Sequence, residues 1–208
     1  MKLKHGVSVL LASTILMAGC TTDRGEIKNY NEQVEKANDT ESVVNSVGKK
    51  INSLEQEKQK LVKSVSGKDQ KEVQKTSKKI VDNVEERKET FKKEEDAYDK
   101  SEQQYKKGQK HIENIENKQK QKMVKKYDKA QLEKYKAHKN YAEAYDNVLD
   151  KEKAMFKYTS GDNVEQSEID KKSKEVSKAY KDMNKAFKKY SETMQKVKDE
   201  KQQVDSIS

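Results

Sequence analysis

From residue 26 onward, apolar side chains recur every three or four places, and polar ones fill the gaps. Tyr30, Ala37, Val44, Ile51 and Val65 fall on a seven-residue repeat, with Val47, Leu54 and Leu61 three places after members of it. Ile80, Val84, Phe91, Tyr98, Tyr105 and Ile112 continue the rhythm with Val73, then Met123, Tyr127, Ala130, Ala137, Tyr141, Ala144, Val148, Met155 and Tyr158. A last run holds Val176, Tyr180, Met183, Phe187, Tyr190, Met194, Val197 and Val204. Alternating steps of three and four put each run on one face of a helix, whereas a strand would alternate every second residue.

Glycines punctuate these runs. Ser-Gly-Lys-Asp at 66–69 and Ser-Gly-Asp-Asn at 160–163 each read as a helix end followed by a capping side chain. Gly108 lacks a neighbouring cap, so the turn there is expected as late as Asn114 or Asn117. Gly48 lies inside a heptad run and is expected as an interior glycine. The predicted helices are 26–66, 69–107, 110–159 and 163–204. Short connections between them predict an all-α fold, an elongated antiparallel up-and-down bundle of about four long helices, over residues 26–205.

Before residue 26 the pattern changes. Lys2 and Lys4 precede an apolar run from Val7 to Ala18, and Ala18 and Gly19 lead into Cys20, the one cysteine of the 208 residues. That succession is the layout of a secretory signal peptide over 1–19, too short for a stable membrane span. It predicts cleavage between Gly19 and Cys20 and acylation of the Cys20 thiol. Residues 20–25 are expected to form a short tether. Its five residues, Thr21 to Gly25, reach at most roughly 18 Å.

Composition tests the helical reading. Past residue 19, Leu, Ile, Val and Phe together number only 29 of 189 residues, below the level at which globular cores are usual. A helix that buries a narrow seam needs only about two apolar residues in seven, so long helices remain possible. The chain contains no proline, as uninterrupted helices require. The third run carries a second apolar set: Leu132, Tyr135, Ala142, Tyr145, Leu149 and Phe156, with His138 among them. Such a broad stripe serves a helix that touches two neighbours. The alternative is a partner-binding aromatic face at Tyr135, His138 and Tyr145, since tyrosine offers a flat apolar ring with a polar tip.

Catalytic chemistry leaves no signature. His111 and His138 stand in different predicted helices, no Cys/His spacing suits a metal, and no glycine-rich phosphate loop occurs. No enzyme activity, cofactor, metal or small-molecule substrate is expected. After residue 19 the chain has 44 basic and 37 acidic residues, well mixed. That excess is too scattered for nucleic acid and suits weak attraction to anionic lipid or wall polymer.

Met-Ala-Gly-Cys at 17–20, the Lys/Glu/Gln-rich helical region that follows, and the turns at SGKD and SGDN resemble the YkyA-like family of Gram-positive lipoproteins, described as cell-wall binding. The resemblance covers essentially the full length and supplies no catalytic residues. It implies a helical bundle lipid-anchored to the outer face of the cytoplasmic membrane, facing the wall. The partners expected are the membrane and anionic wall polymer or peptidoglycan. Two alternatives stand beside it: a host-protein-binding surface lipoprotein, and an accessory subunit of a membrane complex.

Overall fold

The computed structural model describes residues 13–65 and 67–207, with side chains from residue 22 onward. Five α-helices follow one another: α1 (Ser13–Thr40), α2 (Val44–Ser64), α3 (Gln70–Lys106), α4 (Lys118–Thr159) and α5 (Gln166–Asp205). The described residues contain no strand. Short 3-10 turns at Glu41–Val43 and Gln109–His111 complete the backbone. α1 and α2 run on through the first of these turns as one bent rod, so the fold is an all-α bundle of four long rods.

Cross-helix contacts give the directions. Gln33 meets Gln104, Thr40 meets the Ala97 carbonyl, and Lys50 meets Glu86. Rising numbers on α1–α2 pair with falling numbers on α3, so these rods are antiparallel. α3 and α4 pair the same way, from Tyr105 with Asp128 to Ser77 with Thr159. So do α4 and α5, from Lys151 with Glu175 to Glu133 with Lys196. The α4–α5 pair is the most closely associated. Across the bundle α1–α2 runs parallel to α4 in constant register: Glu116 is 93 residues from Asp23, Lys134 is 93 from Glu41, and Glu152 is 94 from Lys58.

The apolar seams line the interior. Ile27, Tyr30, Val34, Tyr105, Ile112, Ile115, Val124 and Tyr127 form a cluster at the α1 end, and Ile80, Val84, Phe91, Ala142, Tyr145 and Leu149 form a second at mid-bundle. Tyrosines supply much of the volume that leucines would usually fill, which is how so few Leu, Ile and Phe suffice. α5 is the exception. Phe187 is 48% exposed and Met194 39% exposed, because α5 leans chiefly on α4 and needs only a narrow seam.

The local structure departs from the sequence reading in several places. Residues 20–25, expected as a tether, belong to α1. Asp23 is buried and accepts hydrogen bonds from the Glu116 and Asn117 amides at 2.7 and 3.1 Å, so this turn of α1 is pinned to the α3–α4 connection. The first rod breaks at Glu41–Val43. There Thr40 Oγ1 bonds back to the Ala37 carbonyl at 2.7 Å, a contact that bends helices, and Glu41 turns inward to Lys134. The turn after α3 extends to Asn117, whose side chain caps α4. Gly108 is favoured there by packing, since a Cβ would stand 3.1 Å from that of Gln33.

The two Ser-Gly turns also differ. Gly67 has a φ of 71° and Asp69 caps α3 through the Glu72 amide at 3.0 Å. Gly161 is not in the left-handed region, and α5 starts only at Gln166 with no side-chain cap from Glu165. Asp162 is engaged instead by Gln70 and Gln74 of α3.

Candidate functional site

Half of the expected signal peptide's apolar run, with Lys2 and Lys4, lies outside the described residues. The backbones of Gly19 and Cys20 belong to α1, and the Cys20 side chain lies outside the described ones. No described helix is long and apolar enough to cross a membrane.

The aromatic face expected at Tyr135, His138 and Tyr145 is turned inward. These residues retain 5%, 3% and 4% of their surface. α4 is the central helix, flanked by α3 and α5, so its second apolar set packs against a second neighbour and is not left for a partner. The His138 ring stacks flat on Tyr98, centroids 3.4 Å apart, while its Nε2 meets Glu94 at 3.1 Å. The Tyr135 hydroxyl bonds Ser101 at 2.8 Å, and the Lys134 ammonium lies 4.7 Å from the Tyr135 ring centre. Tyr145 packs its ring 4.7 Å from that of Phe91, and its buried hydroxyl lies beside the Arg87 guanidinium. A shallow groove of about 290 Å³ between α3 and α4 reaches Tyr135 and His138. Lys92, Glu95, Asp99, Lys139 and Glu143 form its polar rim.

Charged groups at seam positions also lie inside. Arg87 is fully buried and its guanidinium meets Glu55 and Glu152. Lys58 reaches Glu152 at 2.6 Å and Glu55 at 2.7 Å, and the Tyr180 hydroxyl donates to Glu152 at 2.7 Å. Burial alone would raise the Glu152 carboxyl, but Arg87 and Lys58 beside it hold it below its ordinary value. A second set joins Lys134 to Glu41 at 2.8 Å and Ser101 to the same carboxylate at 2.6 Å.

The sequence reading passed over these residues, yet it held a signal. Lys58 stands between Leu54 and Leu61, Arg87 between Val84 and Phe91, Lys134 between Ala130 and Ala137, and Glu152 between Val148 and Met155. Each occupies a place where the heptad calls for an apolar side chain. Every one is neutralised by a partner, as buried charge requires. The described residues hold no group of three or more His, Cys, Asp or Glu side chains arranged for a metal. These buried pairs tie α1–α2, α3 and α4 together in register.

Comparison with known proteins agrees with this picture. Residues 25–207 match the model of a family described as "Putative cell-wall binding lipoprotein". The chain is also similar to a crystal structure of a conserved protein of unknown function from Staphylococcus aureus. The two are 39% identical, with a TM-score of 0.82, over 96% of this chain and 98% of that one. No curated protein matches.

Proposed function

The chain belongs to the YkyA family, and from that premise we propose that it is a non-enzymatic lipoprotein, anchored through Cys20 at the outer face of the cytoplasmic membrane, that contacts anionic wall polymer. The observation that carries the reading is the family match over 25–207. The surface supports an electrostatic mode of contact. The tyrosines that could stack on sugars are inside, while the outer faces carry Lys, Glu, Gln and Asp. Lysines of α4 and α5 such as Lys126, Lys136, Lys181 and Lys188 are exposed and have no carboxylate within ion-pair distance among the described residues. Cations of this kind attract phosphate-rich polymer weakly and additively.

Pull-down with purified sacculi tests this. Binding is expected at low ionic strength and should fall steeply towards about 0.5 M salt, where screening shortens to a few ångströms. Removal of teichoic acid should weaken it. Absence of binding at low salt with the bundle folded contradicts the reading. Crosslinking in intact cells then asks whether the partner is a membrane complex, and a serum-protein arm asks whether it is a host protein.

A further inference from the structure

We infer that the α1 end of the bundle is a membrane-seating surface, at which unpaired cations meet anionic lipid headgroups so that the rod stands away from the bilayer. The inference rests on the reading of Cys20 as the lipid-bearing residue. Its first support is the absence of slack. Asp23 is locked to the Glu116 and Asn117 amides, and Glu26 holds His111 at 2.7 Å. Cys20 precedes Asp23 by less than one helical turn, about 4.5 Å of rise. A lipid on Cys20 therefore brings this end of the bundle, and the α3–α4 connection beside it, against the headgroups.

The charge of that end is the second support. Arg24, Lys28, Lys107, Lys110, Lys118 and Lys122 are all exposed, and none has a carboxylate within ion-pair distance among the described residues. The carboxylates in the same stretches are mostly spoken for. Asp23 caps the α3–α4 connection, Glu26 meets His111, and Glu113 pairs with Lys125, leaving Glu116. The α5 C-terminus at the same end adds Asp199 and Glu200 against Lys198, with Asp205 paired to Lys201, and the seated end stays positive within a Debye length, about 8 Å at physiological ionic strength, of a negative surface.

The flanks oppose lying down. Along α1 above the seat, Glu32, Glu35 and Asp39 face a single Lys36, so that side is repelled by anionic headgroups. α1 packs chiefly on α3. Upright, the 42 residues of α4 carry the loops at 65–69 and 160–165 roughly 60 Å from the bilayer.

The test uses the full lipoprotein, extracted and reconstituted into vesicles of phosphatidylglycerol and phosphatidylcholine that carry a headgroup quencher. A reporter dye is placed through Glu116→Cys at the seat or Lys68→Cys at the far end; the acylated Cys20 thioether does not react with it. The seat dye is expected to be quenched at least about fivefold more than the far dye, given the roughly 60 Å between them. In phosphatidylcholine alone, or with Lys107→Glu, Lys110→Glu and Lys118→Glu combined, the far dye should become quenched as the rod tips over. Equal quenching of both dyes in the anionic vesicles overturns the upright seat while leaving the anchor intact. A far dye that stays unquenched in the triple variant overturns the role of the lysines. Failure of the unlabelled protein to enter vesicles at all removes the anchor, and the seat with it.

Discussion

Arg87 shows how the interior trades stability for register. A buried guanidinium between two carboxylates is matched by charge on every side, with Asn83 accepting from its Nε at 3.1 Å. Its removal leaves Glu55 and Glu152 with Lys58 alone. Arg87→Met should cost about 3–5 kcal/mol, the usual penalty for breaking a buried pair. Adding Glu152→Met should restore part of the loss, because Glu55 and Lys58 remain paired. Chemical denaturation of both variants checks this, and a near-wild-type single variant contradicts it. The heptad flagged these residues only by exception: spacing shows that a charge stands at a core place but not which partner neutralises it. Tyr145 gives the complementary case, since its place on a second α4 stripe fitted burial and exposure equally well. Only the docking of α3, whose Phe91 ring packs on Tyr145, decided it.

Helix type and number were legible because seven-residue spacing persists through every rod. Ends were less so, because identical punctuation serves different geometry. Gly67 takes a positive φ that Gly161, in the same Ser-Gly context, does not. The tether was misread because Thr21 to Gly25 carries no heptad signal. Asp23, 93 residues away in sequence from the Glu116 amide it caps, is what draws that stretch into the fold. The glycines therefore predict opposite signs. Gly48 sits in α2 with open space around its Cα, so Gly48→Ala should stabilise by about 0.5–1 kcal/mol. Gly67→Ala should destabilise by roughly 1 kcal/mol through its left-handed backbone, and Gly108→Ala through crowding against Gln33 and Tyr30. Thermal melts of the three variants check the pattern, and a stabilised Gly108→Ala would contradict the close approach of α1 to that turn.

The whole molecule is a polar rod with a tyrosine-rich interior, and its pH response should report that interior. Burial raises the phenols of nine tyrosines, Tyr127 and Tyr190 to about 12 and Tyr30, Tyr98, Tyr105, Tyr135, Tyr141, Tyr145 and Tyr180 further. The folded state holds these protons more tightly than the unfolded chain, whose phenols titrate near 10. Their contribution is complete below about pH 10 and is lost as pH rises through the folded values. The phenolate absorbance of these nine should therefore rise together with the loss of far-ultraviolet circular dichroism, in one cooperative step above about pH 10, with the tenth tyrosine, the half-buried Tyr158, standing apart. A phenolate signal from the nine that precedes the loss of helix would contradict the buried placement. At this scale the least legible property was the surface charge pattern, because it depends on which lysines are left unpaired once the rods dock. The proposed membrane anchor stands or falls with a lipid at Cys20. Fractionation of cells expressing the wild type and Cys20→Ser, with mass analysis of the N-terminus, tests it. The wild type should be found in the membrane beginning at a diacylated Cys20, and the variant should be released or persist as unprocessed precursor. A Cys20→Ser protein that stays in the membrane fraction at mature size would contradict the anchor.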